Sequence, residues 1–114
     1  MSYIDGFVAA VPTANKAQYL EYAKFMAKVF KENGAIRVVE TWGEEVPEGE
    51  VTSFPMAVQC KDDETIVFAW MEWPDKATRD KGWQVMMEDE RLHADMPFDG
   101  KRLIYGGFDL LLDA

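Results

Sequence analysis

The sequence predicts an α+β domain with an antiparallel sheet, because two strand–helix–strand units follow one another along the 114 residues. Short apolar segments typical of strands occupy 3–11, 35–42, 65–73 and 101–112. Amphipathic segments follow the first and the third of them. This order is that of the split βαβ, or ferredoxin-like, arrangement. It implies one domain over 1–114, strand order 4-1-3-2 and both helices on one face of the sheet.

The first helix is predicted from the helical spacing of its small and apolar residues, Leu20, Ala23, Ala27 and Phe30. Thr13 or Asn15 is expected to cap its start, and Gly34 is expected to end it in the left-handed conformation.

The second helix is expected to begin after Asp75 as its N-cap and to run through Trp83 and Met86 towards Leu92. Gly82 inside it costs about 1 kcal/mol of helix stability relative to alanine.

Two segments have a less regular pattern. Residues 52–61 fit either a short helix, capped by Thr52 or Ser53 with Pro55 in its first turn, or an extended edge segment. The last strand contains Gly106 and Gly107, which indicate a bend or bulge.

The strands are apolar on both faces, which predicts that the protein pairs with a second copy. In the third strand Ile66, Phe68 and Trp70 face one way, and the alternate residues on the other face are also largely apolar. Two helices cover one face only, so the other face is expected to pack sheet against sheet on a two-fold-related copy. The alternative is that the long acidic loop and residues 52–61 fold back over that face.

Several motifs spread over nearly the whole chain resemble the YbaA-like family, a bacterial family of unknown function. They are 3–8 (YIDGFV), 37–47 (RVVETWGEEVP), 67–70 (VFAW) and above all 96–108 (MPFDGKRLIYGGF). The resemblance implies a ferredoxin-like protomer that forms a dimeric α/β barrel. It carries over no catalytic residue, because the family has no established reaction.

Composition excludes several classes of function. The 12 Lys and Arg against 21 Asp and Glu give a formal charge of −9, which makes nucleic acid and anionic membranes poor partners. One Cys and one His exclude an internal disulfide and a zinc site rich in these residues within one protomer. No secretory leader or long apolar span is evident, so we expect a cytoplasmic protein. We also expect the protein to use no metal and no cofactor.

Charged residues give the first candidate ligand site. We expect the first and third strands to run parallel, which places Arg37, Glu72 and Arg102 at one end of the sheet with Lys101 and Asp99 nearby. Two guanidiniums beside a carboxylate could bind an anionic ligand through bidentate hydrogen bonds. The alternative is a structural ion pair at the rim of the barrel.

Glu40 and Trp42 form the second candidate, because they share a face with Ile36 and Val38. A carboxylate buried on an apolar face acquires a raised pKa and is a candidate general base. An edge-strand Glu that reaches solvent is the alternative.

Aromatic side chains are the third candidate. They could line a cavity for a small apolar ligand or simply fill the core and the dimer interface; they are Tyr3, Phe7, Phe68, Trp70, Tyr105 and Phe108.

His93 and Cys60 are expected to be a solvated side chain and an inert thiol. Glu44, Glu45, Glu48 and Glu50 lack the spacing of an EF-hand loop, so they are expected to be solvated.

These residues support three functions: a homodimeric small-molecule-binding or accessory protein, a cofactor-independent monooxygenase or isomerase by analogy of fold, and a structural interaction module. The sequence alone does not decide whether the protein is an enzyme.

Overall fold

The computed structural model describes residues 2–93 and 95–114, without the side chain of His93. In this part of the chain β1 (Tyr3–Pro12), β2 (Arg37–Glu40), β3 (Glu64–Trp73) and β4 (Ile104–Asp109) form one sheet. The strand order is β2-β3-β1-β4, which confirms the predicted order and the α+β ferredoxin-like class. Every neighbouring pair is antiparallel.

The relative direction of two strands was wrong in the sequence analysis. β1 is antiparallel to β3, with Tyr3 opposite Trp73, and it is also antiparallel to β4. A helical connection joins two strands that point the same way and leaves room for a neighbour between them. β1 is therefore parallel to β2, and β3 is parallel to β4.

Two helices cover one side of the sheet, named here the helix face. α1 (Lys16–Glu32) and α3 (Lys76–Met87) bury Tyr19, Phe30 and Met86 against it. The Asp75 side chain accepts a hydrogen bond from the Thr78 backbone N–H at 2.7 Å, which confirms the predicted cap.

The predicted cap of α1 was wrong. Asn15 occupies the N-cap position without accepting a cap hydrogen bond, because its side-chain amide donates to the carbonyl oxygen of Pro97. At the other end of α1, Gly34 has φ of +108°, as expected of the residue that follows the helix.

The opposite side of the sheet, named here the open face, is only partly covered. The chain between β2 and β3 folds back over one end of it, where Val46 and Val58 pack on Val8, Ala10 and Ile66. This segment contains the short helix α2 (Phe54–Ala57), whose Met56 backbone N–H donates to the Ser53 hydroxyl. The helical alternative for residues 52–61 is therefore confirmed, and the loop covers part of the face.

β4 is a regular edge strand, so the predicted bulge was wrong. Its pairing with β1 is continuous from Ile104 opposite Val8 to Asp109 opposite Tyr3. Gly107 instead allows a close approach, since a Cβ there would lie 2.9 Å from an Arg79 nitrogen. None of the β4 side chains is buried, and Tyr105 and Phe108 are 80% and 60% exposed.

Candidate functional site

An apolar hollow lies on the open face, between the sheet and the returning loop. Its volume is about 120 Å³. The side chains of Val46, Phe54, Ile66 and Phe68 form most of its wall, with Thr41 and Gly43 at the β2 side. The Thr41 hydroxyl donates to the Phe68 carbonyl oxygen and is thereby occupied. The hollow therefore offers packing to a ligand and little hydrogen bonding.

The rim of the hollow is aromatic and accessible. Phe54 and Phe68 have ring centroids 5.9 Å apart, and the Phe68 ring also contacts that of Trp70 at 5.6 Å. Phe68 is 44% exposed although it lies at the centre of the sheet. Of the aromatic residues expected to line a cavity, Phe68 does so.

Glu40 lies on the helix face, with its carboxylate among aromatic rings. The Tyr19 hydroxyl donates to it at 2.6 Å. Burial raises the pKa of Glu40, and the hydrogen bond from Tyr19 offsets part of that effect. Burial, and then the charge of Glu40, also raise the pKa of Tyr22. Glu40 thus has the raised pKa expected of a candidate base.

Packed rings fill the space around Glu40. Tyr19 contacts Trp42, Tyr22 and Phe98 at centroid distances of 6.4, 6.3 and 5.8 Å. Lys16 Nζ lies 5.3 Å from the centre of the Trp42 ring, a cation–π contact. The motif at 96–100 therefore supplies Phe98 to a cluster that joins α1 to the end of β2.

Asp5 is a buried carboxylate that the sequence analysis missed. It is 6% exposed and accepts hydrogen bonds from the indole N–H groups of Trp73 and Trp83 at 2.9 and 2.8 Å. Arg79 donates to both of its oxygens and stacks over Tyr3. Both carboxylate oxygens of Asp5 accept hydrogen bonds, which indicates a structural role: Asp5 links α3 to β1 and β3.

The expected grouping of Arg102 with Arg37 and Glu72 was wrong. β4 runs parallel to β3, so Arg102, just before β4, lies beside the start of β3 rather than its end. Its guanidinium donates to both oxygens of Glu64 at 2.7 and 2.6 Å, and also to Asp99. The hydrogen bonds from Arg102 lower the pKa of Glu64. Arg102 is thus engaged in a structural ion pair.

The other predicted site residues are dispersed. Arg37 pairs in register with Glu72 at the far end of the sheet, where Glu72 accepts from the Ser2 hydroxyl at 3.1 Å. Trp70 lies on the open face near the hollow, whereas Tyr105 lies opposite Phe7 on the helix face of β4. The residues predicted to bind a ligand therefore do not form one site; they are Arg37, Glu40, Trp42, Trp70, Glu72, Arg102 and Tyr105.

The remaining reactive side chains give no second candidate. Burial raises the pKa of the Cys60 thiol, which lies near the carbonyl oxygens of Lys61 and Glu64. The side chain of His93 lies outside the described part of the structure. Among the described residues, no three potential metal ligands cluster and no helix is long and apolar enough to cross a membrane.

A solved structure with the same fold and curated relatives of similar sequence show what the chain is similar to. A dimeric ferredoxin-like protein from an uncultured marine organism matches with a TM-score of 0.64 and 8% identity, over 99% of this chain and 98% of that chain. The uncharacterized proteins YbaA of Escherichia coli K12 and Shigella flexneri are each 51% identical over 99% of both chains. The model of the family "Protein of unknown function (DUF1428)" matches residues 2–100. The YbaA-like resemblance is confirmed, and the chain belongs to this family of unknown function.

Proposed function

We propose that the protein is a homodimer that binds a small apolar molecule in the hollow of the open face. The observation that carries the proposal is the hollow itself, about 120 Å³ bounded mainly by valine, isoleucine and phenylalanine side chains. An apolar cavity of comparable size takes up a single aromatic ring when nothing else fills it. An apolar hollow without a titratable side chain favours binding over catalysis.

Self-association is supported by the apolar surface around the hollow. Phe68, Trp70, Ile104 and Phe108 share the open face, and all of them are partly or largely exposed. A contiguous apolar patch on a small domain marks an interaction site. The fold neighbour is described as dimeric, which agrees with a two-fold packing of open face on open face. Such packing would also seal the mouth of the hollow.

A cofactor-independent monooxygenase or isomerase would use Glu40, the carboxylate with the raised pKa. Glu40 pairs in register with Ala69 on the helix face, whereas the hollow lies on the other side of the sheet. A structural module is the further alternative, in which the partner's side chains fill the hollow. The ligand titration described below distinguishes a hollow that binds a ligand from one that the partner's side chains fill.

Toluene is a suitable first probe, because it has no polar group and fits a cavity of this size. Titration should shift the methyl NMR signals of Val46 and Ile66 saturably in the wild-type protein. Val46→Phe should fill the hollow and abolish the shifts, whereas Val85→Phe, at an exposed position of α3, should retain them. Absence of saturable shifts in the wild type would overturn the proposed function in favour of a filled interface.

A further inference from the structure

The open face has two unlike ends. At one end, called here the loop end, residues 43–58 lie over the sheet, where Val46 and Val58 pack on Ile66. At the other end, called here the bare end, the sheet presents Trp70, which is half-buried, and Phe108, which is 60% exposed. The loop end is therefore thicker than the bare end by one layer of chain.

The bare end is flat, whereas the loop end projects. Gly6 and Gly106 lie opposite each other in register on the open face. The Phe108 ring lies close over the pair, since a Cβ at position 106 would be 3.4 Å from one of its carbons and a Cβ at position 6 would be 3.8 Å from another. Phe54 and Met56 of α2, by contrast, are 49% and 43% exposed on the loop end. The two ends therefore have complementary shapes.

Two-fold packing of open face on open face can be arranged in two ways. If the two-fold axis runs along the strands, each loop end meets the loop end of the other copy. If the axis runs across the strands, each loop end meets the bare end of the other copy. Packed sheets lie about 10 Å apart. Two loops that face each other would hold the sheets further apart, so shape favours an axis across the strands.

Charge favours the same arrangement. The loop at 43–58 contains four glutamates and no lysine or arginine. Two such loops facing each other would place like charges together, which is unfavourable at an interface. At the bare end the open face carries the exposed Arg37 opposite the half-buried Glu72, so it has no such excess of negative charge. An axis across the strands also brings Arg37 of the partner subunit towards the acidic loop.

We infer that the two-fold axis of the dimer runs across the strands, and that Trp70 of the partner subunit completes the wall of each apolar hollow. The hollow lies at the loop end, beside Ile66 and Phe68 of β3. An axis across the strands lays β3 on the partner's β3 in the reverse direction, so this part of the strand faces Trp70 of the partner subunit. The hollow of a lone subunit is therefore open where this indole closes it in the dimer. The inference rests on the proposed function and adds the partner's contribution to its site.

The distance between two labels tests the direction of the axis. Asp62 is exposed and lies in the turn before β3, about six residues or about 20 Å from the middle of that strand. Asp62→Cys, spin-labelled in a Cys60→Ser background, should give an inter-subunit distance of about 40 Å by pulsed electron resonance. Loops that face each other would bring the labels to within about 20 Å, which would overturn the inference. Sedimentation of the labelled protein as a dimer is the control.

Mixing of subunits tests the shared wall. Val46→Phe fills its own hollow, and Trp70→Ala removes the indole that closes the hollow of the other subunit. Each homodimer should bind toluene at least about five-fold more weakly than the wild type. In the mixed dimer the hollow of the Trp70→Ala subunit receives the intact indole of its Val46→Phe partner. One site in each mixed dimer should therefore regain the wild-type affinity.

The possible outcomes separate this inference from the proposed function. Tyr105→Ala removes an exposed aromatic side chain from the helix face of β4 and should leave toluene binding unchanged. No recovery on mixing would mean that Trp70 acts within its own subunit and would overturn the inference. If toluene binds but the labels lie close together, the inference fails and the proposed function stands. If the wild type binds no toluene, the proposed function fails and the label distance still decides the direction of the axis; a monomeric wild type defeats both.

Discussion

At the scale of single residues, the two carboxylates on the helix face have different roles. Asp5 accepts from two indoles and a guanidinium and has no capacity left for a ligand. Glu40 accepts one hydrogen bond from a tyrosine, and burial raises its pKa. Asp5 is therefore a structural link, whereas Glu40 is half-buried and lowers the stability of the fold when it is ionised.

Asp5→Asn should destabilise the protein strongly. The asparagine amide would point its N–H groups at donors from Arg79, Trp73 or Trp83, and the Arg79 charge would lose its buried partner and keep only the exposed Asp80. We expect a loss of about 3 kcal/mol in the free energy of unfolding, measured by urea denaturation. Asp109→Asn, at an exposed position of β4, should change it by less than about 0.5 kcal/mol. A similar small change for Asp5→Asn would contradict the structural role.

Glu40→Gln should change the pH dependence of stability. A carboxyl group whose pKa is raised in the folded state binds its proton more tightly there, so its contribution is favourable below the ordinary pKa and is lost as pH rises through the raised value. The glutamine oxygen can still accept from Tyr19. The variant should therefore gain stability relative to wild type as the pH rises from about 4 to about 7.

The gain is measured by urea unfolding at both pH values. Glu21→Gln on the exposed side of α1 should show no such trend. A wild type that becomes more stable relative to Glu40→Gln as pH rises would contradict the assigned direction.

At the scale of elements, alternation along β1 and β3 was the most informative signal. It correctly separated the helix face from the open face, since the register follows it and, in β3, Phe68 and Trp70 are more exposed than Val67, Ala69 and Met71. Because side chains alternate between the two faces, Asp5 lies between Tyr3 and Phe7 on the helix face, so its burial could have been predicted from the sequence. Its partners could not, because Trp73 and Arg79 are distant in sequence and meet it only after α3 packs on the sheet.

Gly82→Ala tests the packing of α3. Helix propensity alone favours alanine by about 1 kcal/mol. In the structure, however, a Cβ at position 82 would lie 2.9 Å from the Asn33 carbonyl oxygen and 2.9 Å from the Trp73 ring. The clash should dominate and lower the free energy of unfolding by about 1–3 kcal/mol. Gln84→Ala, exposed on the same helix, should be neutral or slightly stabilising, and a stabilised Gly82→Ala would contradict the close approach.

At the scale of the whole molecule, the class and strand order followed from element order, whereas the site did not. Because the direction of β3 relative to β1 was predicted wrongly, Arg102 was expected at the wrong end of the sheet, in a ligand site with Arg37 and Glu72 that the structure does not contain. The apolar hollow depends on how residues 43–58 return over the sheet, and short-range pattern does not specify that path. The sequence therefore predicted which face lacks cover, but not the cavity on it.

Phe108→Glu tests whether two open faces pack together. The wild type should sediment as a dimer of the 13.0 kDa chain at micromolar concentration. Phe108 lies opposite Ile4 on the open face, so a buried charge there should raise the dissociation constant at least about ten-fold. Tyr105→Glu changes an exposed aromatic residue on the helix face of the same strand and should leave the dimer intact. A monomeric wild type would contradict the proposed assembly.

The four tryptophans lie on different sides of the sheet and around α3, which gives the protein optical reporters of separate regions. The fully buried Trp73 and the half-buried Trp83 share the carboxylate of Asp5, whereas Trp42 and Trp70, also half-buried, lie at other sites. Emission from the inner pair should report the separation of α3 from the sheet. Emission from Trp70 should report what happens on the open face, so unfolding and surface events can be followed separately in one sample.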